Sequence, residues 1–125
     1  MEDQKNIIER YIQAYNKFDI NGMIQFLHTD IEFENISGGE TDTATKGIAA
    51  FKELAEASKQ YFVERHQSVT SWKFEEDKVT VQIDYHGILA MDLPSGAKKG
   101  DAITMIGQSV FTFKDGLIVK IQDIS

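Results

Sequence analysis

The chain has 125 residues, 42% of them hydrophobic, and a formal net charge of −7, which describes one acidic globular domain spanning 1–125 around one core. It contains no cysteine, so disulfides, thiolate catalysis and cysteine-ligated metals are excluded. A surface of this sign repels phosphate backbones, which argues against nucleic acid as a partner.

From Asp3 to about Lys17, Ile7, Ile8, Tyr11, Ile12, Tyr15 and Phe18 recur at helical spacing, which predicts an amphipathic helix. Asp19 is placed to cap a short second helix carrying Met23, Ile24, Phe26 and Leu27. Ile31, Phe33 and Asn35 alternate with Glu32 and Glu34, the pattern of a strand with one wet face. Ser37-Gly38-Gly39-Glu40 breaks it, and a loop is expected to run on to Lys46. Asp30, Glu32, Glu34, Glu40 and Asp42 crowd this stretch without the spacing of a calcium-binding EF-hand, so they read as a solvated face.

A third helix is predicted from Gly47 to about Tyr61, striped by Ile48, Phe51, Leu54 and Ala55. Strands follow from Glu64 to Phe74 and from Lys78 to Met91, joined by a turn at Glu75-Glu76-Asp77. Leu93 to Gly100 holds the one proline, Pro94, and is a loop. Two alternating segments close the chain, Asp101–Lys114 and Leu117–Ile124, reversed at Asp115-Gly116, a strong hairpin signal. In the first, Ile103, Met105, Gly107, Ser109, Phe111 and Phe113 share a face; in the second, Leu117, Val119, Ile121 and Asp123 do. The order α, α, β, α and then a β-meander predicts an α+β fold, with three helices on the concave face of a curved antiparallel sheet.

No apolar run approaches the ~20 residues that cross a bilayer. The opening Met1-Glu2-Asp3-Gln4-Lys5 lacks the basic start of a signal peptide. No membrane contact and a cytoplasmic location are the expectations.

His28, His66 and His86 form no HExxH pattern. Asp84 and His86 share a strand face, but a zinc site needs a third protein ligand that the neighbouring sequence does not supply. Neither a nucleophile elbow nor a phosphate-binding glycine loop occurs, so no metal and no cofactor are expected. What remains is a pocket between the helices and the concave sheet face. Parity assigns it Tyr11, Tyr15, Phe33, Asn35, Phe51, Met105, Ser109, Phe111, Ile121 and Asp123. Such a lining suits a small apolar molecule, and the same residues could simply fill a core. Asp123 decides between the two: buried, its pKa rises and it can move a proton; on the rim, it is solvated and inert.

Several segments resemble a family. Arg10-Tyr11, Phe18-Asp19-Ile20-Asn21-Gly22-Met23 and Phe26-Leu27-His28-Thr29-Asp30 look like the opening of nuclear transport factor 2-like domains. Gly47-Ile48-Ala49-Ala50-Phe51 resembles their third helix, and Phe111 to Val119 their final hairpin, particularly in SnoaL-like members. The resemblance implies a cone-shaped α+β fold and a homodimer formed through the outer sheet face near Gln82, Asp84, His86, Ile106 and Gln108. It leaves activity open, because the fold serves isomerases, cyclases, dehydratases, hydrolases and non-enzymatic binders.

Carried over residue by residue, Tyr11 stands where ketosteroid isomerases place an oxyanion-hole tyrosine. Asn35 replaces their aspartate base, Ser109 their protonated aspartate and Ala55 a supporting tyrosine, which departs from that mechanism. Asp123 matches the late acid/base aspartate of the SnoaL polyketide cyclases, with Ser109 in place of their histidine. Limonene-epoxide-hydrolase-like members use an Asp-Arg-Asp set, and Arg10 and Arg65, the two arginines here, read as lying outside the strands that would supply it. The resemblance therefore implies Asp123 and Tyr11 as catalytic residues, with Asn35 or Ser109 as alternative hydrogen-bond donors, of an isomerase or cyclase acting on a small carbonyl or polycyclic compound. The alternative is a non-catalytic binding or association module.

Overall fold

The computed structural model describes residues 2–125. Helices α1 (Glu2–Asn16), α2 (Ile20–Ile24) and α3 (Ile48–Lys59) alternate with strands β1 (Leu27–Ser37), β2 (Glu40–Lys46), β3 (Phe62–Phe74), β4 (Lys78–Leu89), β5 (Ala102–Lys114) and β6 (Leu117–Ile124). The strands form one curved sheet in the order β2-β1-β6-β5-β4-β3, an α+β cone. Every neighbouring pair is antiparallel except β1 and β6, which run parallel. No described helix is long and apolar enough to cross a membrane.

Helix α1 buries Ile8, Tyr11, Ile12 and Ala14, the stripe its spacing predicts. It ends in a reversal in which the Asp19 amide donates to the Ala14 carbonyl at 2.9 Å and the Phe18 amide to Tyr15 at 3.1 Å. This is the Schellman arrangement, whose left-handed position normally takes glycine. Phe18 occupies it with φ 59°, at a cost of about 1 kcal/mol. Asp19 then caps α2, its Oδ1 accepting from the Gly22 amide at 2.9 Å.

Two expectations about the strands are corrected. The stretch after Ser37 is not a loop: Glu40–Lys46 pairs with β1 as strand β2. Gly38 and Gly39, both at positive φ, make the two-residue turn that twists a hairpin correctly. Thr41, Thr43 and Thr45 supply β-branched side chains. Strand β6 also breaks strict alternation. A bulge opposite Thr112 and Phe113 resets its phase, so Ile118 is fully buried while Leu117 and Val119 are only partly so. Beyond the bulge Ile121 and Asp123 pair with Phe111 and Ser109 on the inner face.

Phe111, Ile8, Ile31, Ile118, Ile121, Val79 and Val81 have almost no exposure and form the base of the cone. Toward the other end the sheet curls away from the helices, and the core gives way to a cavity.

Candidate active site

The cavity holds about 290 Å³, at the lower end of the range for small-molecule sites. Eight of the ten residues assigned to it by parity line it: Tyr11, Tyr15, Phe33, Asn35, Phe51, Ser109, Phe111 and Asp123. Ile121 does not. Its 1% exposure places it in the packed base, one step inward from Asp123 along β6. Met105 does not line it either. It shares the parity of Ser109 but stands two pairs farther along β5, half-exposed at 49%, where a contiguous hollow of about 200 Å³ opens past Met105, Ile106 and Gly107. Parity gives the face of a strand and says nothing of depth along it.

Asp123 is the chemical centre. It sits opposite Ser109 on β5 and Asn35 on β1, and its accessible surface opens onto the two connected hollows. Burial pushes its carboxyl up to about 6, and the Ser109 hydroxyl, donating to Oδ1 at 2.7 Å, restrains the rise. A carboxyl poised there exchanges protons near neutral pH.

The donors divide sharply. Ser109 is spent on Asp123. Asn35 directs its Nδ2 to both carboxylate oxygens of Asp42 at 2.9 and 3.1 Å, which holds the Asp42 carboxyl below its usual range. That bond ties β1 to β2 and removes Asn35 as a hydrogen-bond donor to a ligand. Tyr11 remains. Its ring meets Phe111 edge-on at 5.8 Å, and burial, reinforced by the nearby Asp123 charge, lifts its phenol well above the ordinary value. It is a neutral donor across the working pH range.

Arg65 is the residue that strand periodicity did not reveal. Strand β3 brings it inward to line the cavity with only 4% exposure, contrary to its expected place outside the strands of the site. Its Nε donates to the Tyr15 carbonyl at 3.1 Å, at the end of α1. Its guanidinium carbon lies 3.7 Å from the Tyr15 ring centre and 4.6 Å from that of Phe18. Tyr15 in turn donates to the Tyr85 hydroxyl at 3.2 Å. Alternation sets Arg65 opposite to Glu64 and His66, on the face of Gln67 and Val69, a row too polar to read as inward. The cue lay elsewhere, in Phe18 standing where a helix end prefers glycine. Phe62 and Gln67 also join the wall.

Among the described residues no group of three or more metal-binding side chains occurs. Asp84 and His86 lie exposed on the outer face.

Comparison with known proteins agrees with this architecture. Residues 8–121 match the SnoaL-like domain, and the chain belongs to that family, within the nuclear transport factor 2-like superfamily. No curated protein matches it by sequence. Among solved structures it is similar to AclR of Streptomyces galilaeus, a proposed hydroxylase, at 22% identity over 98% of this chain and 88% of that one, with a TM-score of 0.78. A proposed polyketide cyclase of Xanthomonas campestris pv. campestris superposes with a TM-score of 0.80 at 20% identity, covering 99% of this chain and 90% of its own. TerC, co-crystallized with polyporic acid, gives 0.78 at 19% identity, with 98% and 90% covered. At these identities the likeness speaks for the fold.

Proposed function

We propose that this chain is an acid–base enzyme of the isomerase or cyclase type, acting on a small, mostly apolar carbonyl compound held in the cavity. The observation that carries the reading is Asp123, an ionisable carboxyl facing a cavity that Tyr11, Tyr15, Phe33, Phe51 and Phe111 also line, with its pKa raised to about 6 and its Oδ1 fixed by Ser109 at 2.7 Å. In this reading the Asp123 carboxylate removes a proton from the carbon beside the carbonyl. The C–H electron pair moves into the enolate, and its oxygen accepts a hydrogen bond from Tyr11. Asp123, now protonated, returns the proton to another carbon, or gives it to the alkoxide formed when the enolate carbon attacks a second carbonyl and its C=O pair moves to oxygen. Ser109 is a positioning residue, and Tyr15, Phe33, Phe51 and Phe111 supply the apolar walls. The proposed cyclase and the polyporic acid complex among the structural neighbours point to ligands of the same kind.

The test is proton exchange at the α-carbon of 2-tetralone in deuterated buffer, followed by NMR. The wild type is expected to accelerate exchange, Asp123→Asn to lose about 10²–10⁴-fold, and Tyr11→Phe about 10²–10³-fold. Binding of the ketone without exchange would leave a non-catalytic binding module, and no binding at all would end the reading.

The proposal extends to a homodimer through the outer face of the sheet. Ile106 is 80% exposed there, beside a shallow groove formed by His66, Ser68, Asp84, His86 and Thr104.

A further inference from the structure

The guanidinium of Arg65 is incompletely satisfied. Of its five N–H donors, Nε meets the Tyr15 carbonyl, while Nη2 is buried with no hydrogen-bond partner. No carboxylate of the described residues lies within ion-pairing distance of it. Its direct contacts are two ring faces and the carbonyl end of α1, which attract a cation more weakly than a carboxylate does. A buried guanidinium left in this state is costly. The arrangement nonetheless holds it firmly: Tyr15 covers one ring contact, and Phe18 accepts a left-handed backbone to supply the other. The group is clamped in the cavity wall and short of an acceptor.

Building on the carbonyl-binding reading, we infer that the natural ligand is an organic anion, a planar apolar body carrying a carboxylate or ionised enol whose oxygens dock on Arg65. A carboxylate or enolate oxygen is the strong acceptor that this guanidinium lacks within the chain. Tyr15 and Phe62 line the cavity together with Arg65, and aromatic walls suit a flat apolar frame. Arg65 then fixes the charged end of the ligand and sets which carbon faces Asp123. It determines orientation and selectivity, while proton transfer remains with Asp123.

Calorimetric titration with sodium 2-naphthoate and with its uncharged counterpart 2-acetylnaphthalene tests this at pH 7.5. The anion is expected to bind the wild type about 10- to 100-fold tighter than the ketone. In Arg65→Gln that ratio falls to about one, and Arg65→Lys, which keeps a point charge without the fork, lies between. Equal or weaker binding of the anion by the wild type overturns the inference and leaves the carbonyl pocket standing. So does a ratio that survives in Arg65→Gln. Failure of both compounds to bind overturns the pocket as well. The wild-type comparison needs no variant, so it decides the matter even if Arg65→Gln, stripped of its bond to α1, does not fold.

Discussion

Asp123 and Ile121 show how little along one strand separates a side chain sealed in the core from one that faces a cavity. Two residues earlier on the same strand, Ile121 is sealed in the core; Asp123 has the cavity in front of it and protein around it. Its carboxyl rises from an ordinary 3.8 to about 6, so the folded chain holds this proton more tightly than the unfolded chain does. The group's contribution to stability is therefore complete below about pH 4 and lost as pH rises through about 6. Asp123→Asn, which keeps an acceptor for Ser109 but no charge, should match the wild type near pH 4 and exceed it by about 1–3 kcal/mol at pH 8. Urea unfolding at the two pH values checks this, and equal stability at pH 8 would mean the carboxylate is solvated after all. The sequence made Asp123 conspicuous, as the one charge on the inward row of β6. Arg65 was less legible, because the row it shares with Gln67 and Val69 is too polar to mark an inward face.

At the level of the elements, β5 and β6 were legible because period-two alternation and Asp115-Gly116 agree, and both turn residues have positive φ. Strand β2 was not. Its residues are nearly all polar, and because its half-buried face is made of Thr43 and Thr45 it carries no apolar signature to read. What defines it is pairing with β1 and the Asn35–Asp42 bond, neither visible locally. The β5–β6 pair also contains the closest backbone approach near the site. A Cβ on Gly107 would stand 2.8 Å from the Ile124 carbonyl oxygen, and backbone cannot step aside cheaply. Gly107→Ala should destabilise the fold by about 1–3 kcal/mol and push the end of β6 outward. Thermal denaturation reads the first effect. NMR titration of Asp123 reads the second, as a pKa moved away from about 6 when the Ser109 bond lengthens.

The whole molecule is a cone with its helices inside the curve and a broad sheet face turned outward. That face is mixed in character: Gln82 and Gln108 bond across it at 3.0 Å, His66 pairs with His86 and Ser68 with Asp84, and Ile106 projects among them. A lone apolar side chain in a polar field suits the centre of an interface between copies. Sedimentation equilibrium should give twice the 14.1 kDa chain mass for the wild type, and Ile106→Lys should shift it toward the monomer. A monomeric wild type would return this face to solvent. The cone itself was legible from the order of elements and from one amphipathic stripe per helix. Depth within it was not, because no local pattern records where the sheet bends away from the helices, and that cost the assignments of Met105 and Ile121.

The parallel pairing of β1 with β6 has a consequence for how the molecule comes into being. Strand β6 follows all the others in chain order, yet it lies in the middle of the sheet, between β1 and β5. Until it emerges from the ribosome, the β1–β2 hairpin and the β3–β4–β5 meander are two separate halves, each with an open edge. Strand β6 joins them through a local hairpin to β5 and a pairing with β1 from the far end of the sequence, and contacts of the second kind slow folding in general. The same event carries Asp123 between Asn35 and Ser109. Assembly of the candidate site and completion of the sheet therefore depend on the same strand.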